Sequence, residues 1–366
     1  MTENQIQGLP EYPCVRDMWD ELAKEKRPIL VYGMGNGADK LFERFNQYGI
    51  TPTDVFASDG FVRGHSFRGI RVKSFSEVKA QYSDFVIVLS FASSRREVLD
   101  MLYDMDEHYD VYVPDMPVAG GEYFDRAFFN DHYDEILRAS CAFEDDHSKH
   151  IYNSIIAYKI SGRMRYLKQA FVERIDELSL LPLDKITTFV DAGAYNGDTV
   201  REAVRYIPGL KKAVAVEPDA RNYKKLLRYA EQSEIRVECI NAAVWSDDGQ
   251  GAFSSSGNRN SSISSTDSYE HKDMTVGLVS IDSLGVRPDY IKYDVEGAEF
   301  EALVGADKTI RECRPSVILS LYHRSRDIFF LINFVKEKYP WYRMYLRRTE
   351  CLPAWEIDLV LINEDA

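Results

Sequence analysis

Groups able to move protons crowd into two short stretches of this 366-residue chain. Asp294-Val-Glu-Gly-Ala-Glu299 sets three carboxylates close together, and His323 stands in Leu321-Tyr-His-Arg324. A carboxylate or imidazole within reach of a hydroxyl can take its proton as a new bond forms at oxygen, the work of a general base. Histidine is the natural acceptor near neutrality, because its unperturbed pKa is about 6.5. His323, Asp294, Glu296 and Glu299 are therefore the candidate catalytic residues. Glu296 and Glu299 also have a plainer reading, as acidic residues that favour the N-terminus of the next helix. Asp294 and Glu296 together suit a hard divalent cation, but no third ligand can be named and a metal is not favoured.

A second constellation reads as a binding site. Phe189-Val-Asp-Ala-Gly-Ala-Tyr-Asn-Gly-Asp-Thr199 runs from a buried strand through a glycine turn into a helix that begins near Asp198-Thr199. Gly193 would let a ligand approach the backbone, since no Cβ stands in the way. The helix N-terminus offers free amides. The loop lacks the G-x-G-x-x-G of a diphosphate site, and Asp191 at the strand end favours a cationic ligand group. Glu217 ends the next strand, where an acid suits the two hydroxyls of a ribose. Pro218-Asp219 opens the following helix. Asn241-Ala-Ala-Val244 closes a third strand, with Ala243 placed near an adenine.

Such groups need strands that end on one edge and helices that carry the chain back. In open α/β sheets, ligands bind outside the carboxyl ends of the strands. Apolar runs predict strands over 187–191, 212–217, 235–240, 290–294 and 316–321. Two more, at 343–347 and 357–362, read as an antiparallel hairpin at the sheet edge. A separate α/β pattern precedes them, with strands at 28–33, 54–58, 85–89 and 110–114. Between the two, Ile151, Ile155, Ile156 and Ile160, then Tyr166, Leu167, Phe171 and Ile175, recur at threes and fours, predicting amphipathic helices that end at Pro182. Residues 246–268 are rich in Ser, Gly and Asn and read as a mobile loop or a flap over the site. The expected division is 1–121, 122–182 and 183–366, with two Rossmann-like α/β domains joined by a helical segment.

VDAGAYNGDT, AVAVEPD, NAAV and above all YIKYDVEGAEFEALVGA resemble the FkbM-type methyltransferases, from about Thr188 to the C-terminus. AFEDDHSKHIYNSIIAYKISGRMRYL is similar to the linker before this domain in longer bacterial members. The resemblance implies a class I fold with a mostly parallel seven-stranded sheet. It also implies S-adenosylmethionine as cofactor and O-methylation, commonly of sugars or polyketide-like natural products. It places Asp191, Gly193, Asn196, Asp198, Glu217 and Asp294 on cofactor-binding positions. Ala194, Gly197, Thr199, Pro218, Asp219 and Ala243 complete the expected cofactor site.

The N-terminal stretch Val31-Tyr-Gly-Met-Gly-Asn-Gly-Ala38 fits G-x-G-x-x-A between a strand and a helix. Gly33, Gly35 and Gly37, with Asp59 at the end of the next strand pattern, suggest a second nucleotide site. The segment resembles the small Rossmann-like domains that precede sugar acyltransferases and bind nucleotide-sugars. The same glycines have a plainer use in tight helix–strand packing. Arg343, Arg347 and Arg348 read as exposed charges guarding an edge strand, or as contacts to a phosphate or acidic sugar.

Composition narrows the partners. Lys and Arg number 45 against 59 Asp and Glu, a formal charge of −14, which repels phosphate backbones and makes nucleic acid an unexpected partner. The five cysteines are scattered, as in a reducing compartment. No apolar run reaches the ~18 residues that span a bilayer, and the polar N-terminus does not read as a signal peptide. The expectation is a cytoplasmic enzyme with a small-molecule or glycan acceptor and a nucleotide-sugar at the N-terminal domain. A homodimer is compatible with it. Two other classes stay open: a nicotinamide-dependent oxidoreductase using the N-terminal glycine loop, and a non-catalytic nucleotide-sugar-binding protein.

Overall fold

The computed structural model describes residues 15–62, 64–254, 262–263 and 274–363. The first sheet contains β1 (Ile29–Tyr32), β2 (Asp54–Ala57), β3 (Lys73–Ser74), β4 (Val86–Leu89) and β5 (Asp110–Tyr112). All are parallel, in the order β3-β2-β1-β4-β5. β1, β2 and β4 are buried along their whole length, as near-continuous apolar runs between two helical layers must be.

The second sheet contains β6 (Thr188–Ala192), β7 (Lys212–Val216), β8 (Arg236–Ile240), β9 (Tyr290–Tyr293), β10 (Ser316–Ser320), β11 (Tyr342–Arg348) and β12 (Ile357–Asn363). Their order is β8-β7-β6-β9-β10-β12-β11. The first five strands are parallel, whereas β12 runs antiparallel to both β10 and β11. Both the parallel strands and the terminal hairpin match expectation. The register Ser320↔Asp358 carries a consequence for the site. Because β12 starts where β10 ends, the turn at 349–356 falls on the carboxyl edge of the sheet.

The helical stretch departs from its expected character. The helix Asp146–Ser161 is capped by Asp145, which accepts from the Ser148 amide, and by Gly162 in the left-handed region. From Ile151 to Ser161 every residue is buried. A helix enclosed all round belongs to a core rather than to an amphipathic surface. It lies between the two sheets, and one continuous apolar cluster joins Leu30 and Ile87, Ile151 and Ile155, and Val190 and Leu319. Burying each large aliphatic side chain contributes roughly 1.5–3 kcal/mol.

Two more expectations are corrected. Arg347 and Arg348 are not exposed edge charges: both are buried. Arg347 pairs with Asp145 at 2.7 Å and donates to Ser148 Oγ, while Arg348 donates to the carbonyls of Leu167 and Cys351. They tie β11 to the helical stretch, which covers that edge; Arg343 alone among the three is exposed. The expected loop at 246–268 is partly strand. Residues 249–254 pair antiparallel with 274–279 and with 262–263; the expected flap otherwise falls on residues outside those described.

The carboxyl edges of the two sheets face each other. Ser93, beyond β4, exchanges backbone hydrogen bonds with Leu352 in the 349–356 turn, at 2.8 and 3.0 Å. The Ala119 amide donates to the His323 carbonyl at 2.9 Å, and Ser325 Oγ to the Glu122 carbonyl at 2.7 Å. Among the described residues, no helix is long and apolar enough to cross a membrane.

Candidate active site

A cavity of about 380 Å³ opens at the carboxyl edge of the second sheet. The loops after β6 and β7 supply Gly193, Asp198, Thr199, Glu217, Pro218 and Asp219. The end of β8 adds Ala243 and Val244, and the end of β9 adds Lys292, Asp294 and Glu296. Most of the expected cofactor residues thus meet in one place. Asp191, Ala194, Asn196 and Gly197 do not line the cavity, and neither do Glu299 and His323.

Glu217 is the best-defined ligand group. Its Oε2 accepts from the Tyr195 amide and its Oε1 from the Asp219 amide, each at 2.8 Å. Each oxygen keeps lone-pair capacity, so a vicinal diol can donate to both. Asn241 donates to the Glu217 carbonyl at 2.8 Å and fixes the strand end. Burial pushes the Glu217 carboxyl up to about 7 against the pull of these amides. Asp219 is committed elsewhere, as the cap of the helix Ala220–Ala230.

Two expected roles change. A Cβ at residue 193 would overlap the Asp294 carbonyl oxygen, and φ there is +90°. Gly193 is therefore required by the close approach of the β9 end, before any ligand arrives. Asp191 is fully buried, and neither carboxylate oxygen has a hydrogen-bond partner. Burial raises it to about 7 despite the opposing pull of Lys292, its neighbour in register on β9. It acts on the cavity through Lys292 rather than by contact.

The acid cluster after β9 surrounds His323. The imidazole is fully buried, with Nδ1 2.9 Å from Glu299 Oε1 and Nε2 3.4 and 3.5 Å from Asp294 Oδ1 and Glu296 Oε2. These are ion-pair contacts, since neither ring nitrogen has a hydrogen bond of good alignment. Burial disfavours the charge, but Glu299 above all, then Glu296 and Asp294, push the imidazole up to about 10. His323 is thus cationic at neutral pH and out of reach of the cavity. The expected proton acceptor is instead a buried counter-ion. Glu299 is equally withdrawn; it accepts from the Val295 amide at 2.9 Å and pins the loop.

Asp294 and Glu296 face the cavity with opposite tendencies. Burial works against charge on Asp294, yet Lys292 and His323, with bonds from Lys292 (2.9 Å) and Tyr322 (3.1 Å), hold it down at about 2. At Glu296 burial wins over His323 and, with Asp294 and Glu299 adding repulsion, raises the carboxyl to about 8. Glu296 makes no side-chain hydrogen bond and sits at φ +56°, a backbone cost of order 1–3 kcal/mol for a non-glycine residue. Among the described residues no group of three or more His, Cys, Asp or Glu is arranged to hold a metal ion.

Sequence reasoning missed the far wall. Val118 arrives from the segment after β5, Tyr322 follows β10, and Thr349, Trp355 and Glu356 come from the hairpin turn. Arg174 also lines the cavity, held by Glu202 at 2.9 Å and Glu177 at 2.7 Å. The antiparallel hairpin was legible and was the signal for its turn, but not for what the turn presents.

The N-terminal glycine loop has a different character. A Cβ at residue 37 would overlap the Ser90 carbonyl, and one at residue 33 would press on Ser90 Oγ, whereas residue 35 faces open space. Gly33 and Gly37 are thus accounted for by strand–helix packing. Asp59 accepts from the Ser76 amide at 3.0 Å and from the Ser76 hydroxyl.

Comparison with known proteins agrees with the second sheet. The family model Methyltransferase FkbM domain matches residues 191–347. The fold resembles the crystal structure of methyltransferase FkbM from Methylobacillus flagellatus, with a TM-score of 0.70 at 17% identity over 97% of this chain and 94% of that one. A putative methyltransferase from Streptococcus mutans, in complex with SAH, aligns with 53% of this chain and 99% of its own, at 17% identity and a TM-score of 0.34. No curated protein matches the chain. Residues 191–347 are thus similar to the FkbM methyltransferase domain, a family that implies methyl transfer from S-adenosylmethionine.

Proposed function

We propose that the chain is an S-adenosylmethionine-dependent O-methyltransferase acting on a carbohydrate-like hydroxyl, with Glu296 as proton acceptor. The observation that carries the cofactor is Glu217, whose two oxygens are held by backbone amides on the wall of the cavity. The surrounding carboxylates suit the sulfonium and ammonium charges of the cofactor. When bound, S-adenosylmethionine supplies an electrophilic methyl group whose carbon–sulfur bond breaks as the acceptor oxygen bonds to carbon.

The chain's own part is to orient the acceptor and take its proton. An in-line displacement gains much of its rate from positioning. Glu296 faces that space with a carboxyl raised to about 8, so its ionised form is a stronger base than an ordinary glutamate. His323 offsets the negative charge of the cluster from behind. Asp294 stays ionised and anchors Lys292 and Tyr322.

Calorimetric titration with S-adenosylhomocysteine tests the reading. Micromolar binding that disappears in Glu217→Ala is the expected result. Absence of binding to the wild-type protein would sink it.

A further inference from the structure

Among the described residues, three of the five non-glycine residues with left-handed backbone, Tyr195, Glu296 and Glu356, line the same cavity. Strain of that kind persists only where surrounding structure over-determines it, and it gathers at functional sites. Tyr195 has a visible reason, since its amide bonds Glu217. Glu296 belongs to the acid cluster. Glu356 has neither: at φ +56° its half-buried carboxylate meets the cavity with no hydrogen bond or ion pair among the described residues, and burial raises its pKa, with Asp294 and Asp358 adding repulsion against the weaker pull of Lys292 and Arg174. Beside it the Trp355 indole Nε1 is buried without a hydrogen-bond partner. Buried polar groups are normally paired; here Glu356 presents an acceptor to the cavity, with an unpaired donor on the residue beside it.

The charge of the walls decides what that is. Among the described residues, eight carboxylates line the cavity, from Asp198, Glu202, Glu217, Asp219, Asp294, Glu296, Glu356 and Asp358, against Arg174 and Lys292. Both cations are already engaged, Arg174 by Glu177 and Glu202 and Lys292 by Asp294. A bound cofactor would bring a net single positive charge, with Glu217 available to hold its ribose. A phosphate or carboxylate on the acceptor would meet no free cation.

We propose that Glu356, Trp355, Tyr322 and Val118 form the acceptor subsite, and that it takes an amine-bearing polyol whose ammonium group rests on Glu356. This rests on the methyltransferase reading. An ammonium answers the unpaired carboxylate with charge-assisted hydrogen bonds, and the aromatic faces of Trp355 and Tyr322 favour a cation. The Trp355 N–H is left to donate to a hydroxyl of the same molecule. A nucleotide-linked sugar, with its diphosphate, does not fit this wall.

The test is titration of the protein, preloaded with S-adenosylhomocysteine, with glucosamine, glucose and glucose 6-phosphate at pH 7. Glucosamine is expected to bind about tenfold more tightly than glucose, and glucose 6-phosphate not at all. Glu356→Gln should erase the preference for the amine while leaving S-adenosylhomocysteine affinity unchanged. The proposal is overturned if glucosamine does not bind, if glucose or glucose 6-phosphate binds as tightly as glucosamine, or if Glu356→Gln keeps the preference. Failure of S-adenosylhomocysteine to bind at the preloading step would instead strike the methyltransferase reading itself.

Discussion

The two parallel sheets repeat one design, a strand, a glycine turn and a helix, followed by an acid beyond the second strand. In the first sheet the acid is Asp59, exposed on the surface. Both its oxygens are taken by Ser76, whose hydroxyl and amide hold the carboxyl below its usual range. In the second sheet the acid is Glu217, buried on a cavity wall and raised to about 7. The local patterns are near-equal; the surroundings are not. Each carboxylate accepts one bond per oxygen from its own fold, but the remaining lone pairs of Asp59 meet solvent, whereas Glu217 is buried on the wall of a cavity. Burial beside a cavity, more than spacing or bond count, separates a binding loop from a packing loop.

That contrast can be broken or sharpened by experiment. The largest effect is expected from Glu296→Gln, which removes the proposed proton acceptor but keeps its shape. Turnover should fall by about 10²–10⁴-fold with S-adenosylhomocysteine affinity retained, and steady-state kinetics beside calorimetry would show the split. Next is Ile155→Ala, in the helix enclosed between the sheets. A loss of about 2–5 kcal/mol in a single denaturation transition would show that the two edges belong to one cooperative body, and two separated transitions would refute that. Glu217→Ala and Asp59→Ala form the direct comparison. The first should weaken S-adenosylhomocysteine by about 100-fold, as expected when a charged hydrogen-bond partner is lost, and the second should leave it unchanged. Equal effects would erase the distinction drawn between the sheets.

Smaller effects should follow pH. The free enzyme's kcat/KM should rise as pH climbs through about 8, where Glu296 loses its proton; a profile flat from 6 to 9 would remove it as base. His323 works in the opposite sense. Its folded pKa, about 10, lies above the unfolded value. Its stabilisation is therefore complete below about pH 6.5 and is lost as pH rises through about 10. Thermal melts of His323→Gln should lack that alkaline decline in Tm.

Much of this was readable in advance, and the failures have physical causes. The strand ends carrying Asp191, Glu217 and Asp294 were legible because buried parallel strands are continuous apolar runs with a fixed polar edge. The terminal hairpin was legible from its two runs separated by turn residues. What Trp355 and Glu356 face was not, because a turn's position over an edge depends on antiparallel register, which pairs residues far apart in sequence. His323 was assigned its solution pKa because nothing local reveals that three carboxylates converge on one ring. The helix Asp146–Ser161 carries apolar residues at helical spacing, yet Lys159 is also buried, against Asp115. One-sided and all-round burial give similar patterns when polar residues find partners inside.

The apolar cluster that runs unbroken from β1 through the central helix to β10 limits how this protein can be inherited. Exchanging one sheet for an unrelated one would leave the shared apolar face unmatched. Cutting the chain at the end of the helical stretch would bare the face on which Ile151 and Ile155 rest and strip Val118 from the cavity wall. Changes in the first sheet should therefore be answered by changes in the hairpin turn at 349–356, because their shared boundary forces the two to descend together.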